Sequence, residues 1–159
     1  MKIKINLAMD TKTQLLYELW LEARSRLEEK INYITPEDLT KTLAPSKNSI
    51  GFLLRHIAEV ELLFAKNVFG ASSIKIIAKT VIAKRDTGEW TNLESITNLL
   101  AQARYDLGAI IESQTEEDWE TEIETTEFGI KTKAEALGRI VSHTAYHAGQ
   151  IGIIKKYGI

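Results

Sequence analysis

Long stretches of helical periodicity constrain the fold of this chain more than any other feature of its sequence. Apolar residues recur at spacings of three and four, as on the buried face of an amphipathic helix. With only two prolines and nine glycines, the chain is poor in residues that interrupt helices. We therefore predict an all-α fold with four main helices, at approximately residues 10–34, 49–69, 93–113 and 132–157.

Residues that favour helix ends support these boundaries. Ser49 precedes the second helix and either Thr91 or Asn92 precedes the third, and such side chains can accept hydrogen bonds from the free N–H groups of a first turn. Thr132 and Glu135 have the spacing of a capping box, which predicts the start of the last helix. The same spacing predicts two short helical turns, after Thr35 and after Thr115.

Two connecting segments carry further information. Residues 70–90 are long for a connection, and their apolar residues predict a short helical piece within them. A crossover of this length allows the third helix to run parallel to the second, whereas a short loop would make the two antiparallel. Residues 120–131, rich in Thr and Glu, are expected to form either a short extended pair or an irregular loop.

Composition narrows the class of protein. At 159 residues the chain has the length of one domain, so a single domain over residues 1–159 is expected. Twenty basic and 22 acidic side chains, without a basic block longer than Lys155 and Lys156, argue against a nucleic-acid partner. The segment MKIKINLAMD lacks the apolar run of a signal peptide, and no apolar run approaches the roughly 18 residues of a membrane span. A soluble cytoplasmic protein without a membrane partner is therefore expected.

The three histidines are the candidates for chemistry. His143 and His147 lie four residues apart, so on a helix they differ by only about 40° in direction and about 6 Å in height and can bind one ion. Both fall on the apolar stripe of the last helix, and His56 falls on the predicted stripe of the second, which contains Leu53, His56, Val60, Leu63 and Asn67. Periodicity alone leaves two interpretations open: a metal site, or core histidines whose ring nitrogens find other partners.

The residue types restrict the kind of metal site. The chain has no cysteine, so thiolate zinc sites and disulfides are excluded. A di-iron carboxylate site needs a Glu three residues before a His, but Leu53, Ile140 and Thr144 occupy those positions. Three imidazoles without a fourth protein ligand would leave coordination positions open, as in catalytic zinc sites.

Three segments resemble the DinB-like superfamily of metalloenzymes: SIGFLLRHIAEVE around His56, DTGEWTNLES at 86–95, and HTAYHAGQIGIIKKYG from His143 onward. The resemblance implies a four-helix bundle with an up-down-down-up course and a long crossover between helices 2 and 3. It also implies that His56, His143 and His147 bind one divalent metal ion, which we expect to be zinc, nickel, iron or manganese.

The resemblance favours an enzyme that acts on a small molecule, and within that class a thiol-dependent S-transferase using a low-molecular-weight thiol as cofactor. The alternatives are a metal-dependent hydrolase and a non-catalytic metal-binding or stress-response domain. Relatives commonly dimerise, so the protein could form a homodimer. Neither the residues that bind the thiol nor the substrate can be assigned from the sequence.

Three further residues are weaker catalytic candidates, each with a structural alternative. Gln150 could hydrogen-bond a substrate, or be a polar residue at a helix end. Tyr146 could donate to a bound anion, or pack against its neighbours. Glu59 could orient His56 as a supporting carboxylate, or lie on a solvated helix face. Trp20 and Trp90 could wall a pocket, although large aromatic residues at helical spacing are usually core.

Overall fold

The computed structural model describes residues 9–159 and is mostly helical. Residues 1–8, which make up most of the segment MKIKINLAMD, lie outside this range. Six α-helices and one small sheet lie within residues 9–159. The α-helices are α1 (Thr11–Ile31), α2 (Ile50–Asn67), α3 (Lys79–Ala83), α4 (Leu93–Glu112), α5 (Glu116–Trp119) and α6 (Lys133–Tyr157), the strands are β1 (Glu122–Thr125) and β2 (Gly129–Thr132), and Pro36–Thr40 form a 3₁₀ helix.

The capping residues lie where the sequence places them. Ser49 caps α2 by accepting from the Phe52 N–H at 3.2 Å, and Asn92, rather than Thr91, caps α4. Thr132 and Glu135 form both bonds of a capping box at the start of α6. The first helix begins after Asp10 as predicted but ends at Ile31, three residues earlier than expected.

Both connecting segments contain the elements that the sequence suggested. The short helical piece in residues 70–90 is α3, which packs against α2. Residues 120–131, together with Thr132, contain the extended pair. Strands β1 and β2 are antiparallel, with Glu122 opposite Thr132 and Thr125 opposite Gly129. The left-handed backbone of Gly129, with a φ of 70°, follows the turn between them. The fold thus contains a small sheet that an all-α prediction omits.

The four long helices, α1, α2, α4 and α6, pack against one another, and contacts between their ends show which ends lie together. Helix α2 packs against α4 and α6, and α1 packs against α6 and α4. The Thr13 hydroxyl in the first turn of α1 donates to the Gln114 carbonyl just after α4, at 2.9 Å. Gly51 at the start of α2 lies against the backbone of Trp90 just before α4, and Gly152 near the end of α6 lies against the Lys30 side chain. Among residues 9–159, no helix combines the length and apolar content needed to cross a membrane.

The apolar stripe predicted for α2 is displaced from the centre of the buried face. Leu53 is buried, but His56, Val60 and Leu63 are only half-buried and Asn67 is exposed. Because α2 packs against α3, α4 and α6, most of its circumference is apolar, and a line at spacings of three and four can be drawn along more than one side. The centre of the face is formed by Leu54, Ile57, Ala58, Glu61, Leu62 and Ala65.

An ion pair lies within this core. Arg24 on α1 donates through Nη1 to the Glu61 carboxylate and through Nη2 to the Leu100 carbonyl, both at 2.9 Å. The two charged side chains are 2% and 0% exposed. Apolar periodicity does not reveal such a pair, because it treats every charged residue as a surface residue.

A single glycine permits the close contact between α2 and the end of the crossover. A Cβ at Gly51 would lie 1.9 Å from the Trp90 carbonyl oxygen and 3.1 Å from that of Leu39, both backbone atoms. We expect Gly51→Ala to lower the free energy of unfolding by about 1–3 kcal/mol, measured by urea denaturation. As a control, Gly138→Ala on α6, where no atom lies within 4 Å of the added Cβ, should raise it by about 0.5–1 kcal/mol. Equal effects of the two substitutions would contradict this account of the contact.

Candidate metal centre

The packing of α2 against α6 brings the three histidines together. His56 comes from α2, and His143 and His147 come from α6. Their ring centroids are 5.0 Å apart for His56 and His143, 5.2 Å for His56 and His147, and 4.4 Å for His143 and His147. One nitrogen of each ring lies within 4.8 Å of a nitrogen of the other two, and all three side chains are half-buried. They lie at the border of the core rather than inside it.

One contact between the rings fits a shared cation. The Nε2 atoms of His56 and His143 are 3.2 Å apart. Two imidazole ligands of a tetrahedral ion, each about 2.0–2.1 Å from it, have their nitrogens roughly 3.3 Å apart. Two lone pairs repel at this distance unless a proton or a cation lies between them. Three imidazole nitrogens at this spacing therefore fit one divalent ion.

The group contains no acidic ligand. Within the part of the chain that the structure describes, no carboxylate joins the three imidazoles, and the chain has no cysteine. Three neutral ligands would leave the charge of a divalent ion uncompensated. Such a centre favours an anion in the open coordination positions.

His147 is held by a hydrogen bond on its Nδ1 atom. Its Nδ1 lies 2.6 Å from the Gln150 Oε1, and the Gln150 amide nitrogen donates to the Tyr146 hydroxyl at 3.3 Å. Because an amide oxygen only accepts, the His147 Nδ1 carries the proton and its Nε2 is left with a lone pair. Gln150 thus contacts the histidine one turn before it, and the exposed Tyr146 contacts the same ring edge-on.

His56 has a different partner, which the sequence did not reveal. Its Nδ1 lies 3.0 Å from the hydroxyl of Thr80 on α3, and its ring stacks on Phe52. Thr80 in turn contacts Glu59, which is fully buried and not on a solvated face. Glu59 therefore reaches His56 through Thr80 and not directly. Only the tertiary structure places residue 80 beside residue 56, since helical spacing relates residues of one helix alone.

The three rings differ in how well they are partnered. The Nδ1 of His143 is buried and has no hydrogen-bond partner among the described residues. Burial in the first place, and then the neighbouring imidazoles, lower the pKa of His56 to about 4 and that of His143 to about 3. Burial also lowers the pKa of His147, although the bond to Gln150 opposes this. All three rings are consequently neutral, the state that binds metal, at pH 7.

These pKa shifts predict how acid affects the metal-free protein. In the unfolded chain the histidines have a pKa near 6.5, so between about pH 6.5 and 4 the unfolded state binds protons that the folded state does not. The free energy of unfolding should therefore fall as the pH is lowered through this window. We expect the dependence between pH 6.5 and 5, measured by urea denaturation after chelation, to be clearly weaker in a His56→Gln, His143→Gln variant. An unchanged slope in that variant would show that other groups cause it.

Gln150 and Trp90, two of the candidates from the sequence, each line a cavity. One, of about 200 Å³, lies beside Gln150 and has a mostly apolar lining of Leu43, Leu53, Ile153 and Ile154 together with Ser46 and Asn48. A second, of about 260 Å³, is lined by Trp90, Ser49 and Asp86 among others. Trp20 is fully buried and belongs to the core, so it walls no pocket.

Comparison with known proteins identifies the family and the fold of the chain. The sequence profile of the DinB superfamily matches residues 19–151, which include all three histidines. No curated protein matches the chain by sequence. The crystal structure of a mutant of the mycothiol-dependent maleylpyruvate isomerase is similar in fold, with a TM-score of 0.66 and 13% sequence identity over 88% of this chain. The present chain spans 60% of the length of that enzyme's chain. Since the matched segment covers most of the sequence, this protein belongs to the DinB superfamily.

Proposed function

We propose that this protein is a metal-dependent enzyme that joins a low-molecular-weight thiol to a small electrophile. His56, His143 and His147 hold its one divalent ion. The observation that carries the proposal is the convergence of three imidazole nitrogens within 4.8 Å, without a carboxylate among them. In this proposal the four long helices form a bundle with an up-down-down-up course. The contacts of Thr13 with Gln114, and of Gly51 with Trp90, support that course.

The chemistry follows from the neutral ligand set. A divalent ion bound there would act as a Lewis acid that favours the ionised form of a thiol or water in an open position. His147 and His56 each use Nδ1 for a hydrogen bond and so keep Nε2 free as a ligand. Leu53 and Gln150, which line the apolar cavity of about 200 Å³, would place the apolar part of a substrate beside the histidines.

The choice of a thiol over water as the nucleophile rests on the comparison with a solved structure and not on the ligand set. The ligand set by itself allows either nucleophile, because an open three-histidine zinc site also lowers the pKa of bound water to about 7. Two carboxylates act on His56 through their charge: Glu59 is held by Arg55 and Thr80, and the exposed Glu127 pairs with Arg139. The thiol dependence of the isomerase with a similar fold agrees with this choice.

The reaction can be tested with a panel of thiols. We expect zinc-loaded protein to consume an activated aryl halide only when a thiol is added: sulfur bonds to carbon, halide leaves with its electron pair, and the thiol proton goes to solvent. His143→Ala should lose this activity and Ser142→Ala, at an exposed neighbour, should keep it. Hydrolysis of an ester by the zinc-loaded protein without thiol would favour a hydrolase. Stoichiometric zinc without turnover of either substrate class would favour a non-catalytic domain.

A further inference from the structure

We propose that Thr80 and Glu59 are positioning residues of the metal centre. Together they set which nitrogen of His56 carries the proton, so that Nε2 is presented as the ligand. This inference rests on the proposed metal-binding role of the three histidines. It concerns the metal-free protein as well, because the hydrogen bonds involved lie on the side of the ring away from the site.

Glu59 is committed as an acceptor. Its side chain is fully buried on α2, and three donors point at it. Arg55 donates through Nε to Oε1 at 2.7 Å, and the Thr80 backbone N–H donates to Oε2 at 2.9 Å. The Thr80 hydroxyl makes a short third contact with the same Oε2. A carboxylate surrounded by three donors is fully oriented, and it takes the single hydroxyl proton of Thr80.

The consequence for His56 follows from donor counting. Because the hydroxyl proton of Thr80 points at Glu59, its oxygen can only accept from the other side. The His56 Nδ1, 3.0 Å from that oxygen, must therefore carry a proton and donate it. The neutral ring then has its lone pair on Nε2, the atom that lies 3.2 Å from the Nε2 of His143. The order Glu59, Thr80, His56 thus selects the tautomer that a metal ion requires.

We call the hydrogen-bonded series Glu59, Thr80, His56 the relay. The crossover between α2 and α4 supplies its central residue, Thr80. Thr80 lies on α3 and is 1% exposed. Arg55, which holds Glu59, also lies over the ring of Trp90 at the end of the crossover, 5.4 Å from its centroid. His143, in contrast, has no hydrogen-bond partner on its Nδ1 within residues 9–159. His56 and His147 are therefore the two ligands oriented in advance, His56 by the crossover and His147 from within its own helix.

The relay predicts a specific effect of removing one hydroxyl. Thr80→Val preserves the shape of the side chain but cannot accept from His56. Its His56 should lose the exclusive Nδ1–H tautomer, as read from ¹⁵N chemical shifts in metal-free protein, and zinc affinity should fall about 10–100-fold in a chelator competition. Thr80→Ser, which keeps the hydroxyl, should retain the tautomer and bind zinc within about threefold of the unmodified protein. Thr87→Val, at an exposed threonine of the same crossover, should change neither.

The two readouts separate this inference from the proposed function. If His56 in Thr80→Val keeps the Nδ1–H tautomer, the relay is overturned whether or not zinc binds. If the unmodified protein binds no zinc, the metal proposal fails, and the tautomer measurement still decides the relay. Thr80→Ala provides a second variant should the valine disturb folding, because the smaller side chain introduces no new contact. The same loss of tautomer in Thr80→Ala supports the relay, and its retention overturns it.

Discussion

Replacing His143 with alanine is expected to take the protein from about one bound divalent ion per chain to essentially none. His143 lies close to both other rings. Its Nε2 is 3.2 Å from the Nε2 of His56, and its ring centroid is 4.4 Å from that of His147. Two remaining imidazoles cannot provide the three protein ligands of an open catalytic site. Elemental analysis of purified protein measures the stoichiometry. Thermal unfolding with added zinc measures the stabilisation of the folded state by metal binding. At a free zinc concentration of 100 times Kd, this stabilisation is about 2.7 kcal/mol for the unmodified protein.

The control for this substitution is Ser142→Ala. Ser142 is exposed on the same helix, and its hydroxyl contacts only the Arg139 carbonyl among the described residues. It should keep both the ion and the zinc-dependent increase in stability. In metal-free protein the loss of His143 removes its Nε2 contact with His56 but no hydrogen bond of Nδ1 to a described residue, so the free energy of unfolding should fall by only about 1 kcal/mol. Retention of one zinc ion with unchanged affinity by His143→Ala would refute the assignment of this ligand.

Replacing Arg24 with alanine should lower the free energy of unfolding by about 3–5 kcal/mol, the cost of leaving one charge of a buried pair alone. Burial raises the pKa of Glu61, and the adjacent Arg24 counteracts this. Without Arg24 the carboxyl group either stays charged in the core or takes up a proton. The Leu100 carbonyl also loses its donor. Urea denaturation at pH 7 measures the effect, which is a large share of the 5–15 kcal/mol that stabilises a typical domain.

Arg26→Ala is the matched control. Arg26 lies two residues away on the same helix, is largely exposed, and pairs with the exposed Glu22 at 3.2 Å. Its loss should change stability by no more than about 0.5 kcal/mol, as for most surface ion pairs. The double substitution Arg24→Met, Glu61→Leu should recover much of the stability, since it removes both charges. Equal costs for Arg24→Ala and Arg26→Ala would show that the buried pair contributes nothing special.

The elements most accurately predicted from the sequence are those determined by neighbours along the chain. Ser49 and Thr132 cap helices where expected, and the mostly helical class is confirmed. The interpretation of Glu59 was less secure. Its position in the helical pattern suited a solvated face or a direct support for His56, and the structure shows a buried carboxylate that contacts Thr80, which in turn contacts His56.

The sequence by itself determined the long helices, their caps, the spacing of His143 and His147, and the residue types available as ligands. Periodicity and capping depend on residues three or four apart, which a linear reading can compare. The tertiary structure decided that the Nε2 atoms of His56 and His143 face each other, that the His143 Nδ1 has no partner among the described residues, and that Thr80 of the crossover contacts His56. Those contacts join residues 24 or 87 positions apart. They depend on how α2, α3 and α6 pack together, and no local pattern records that.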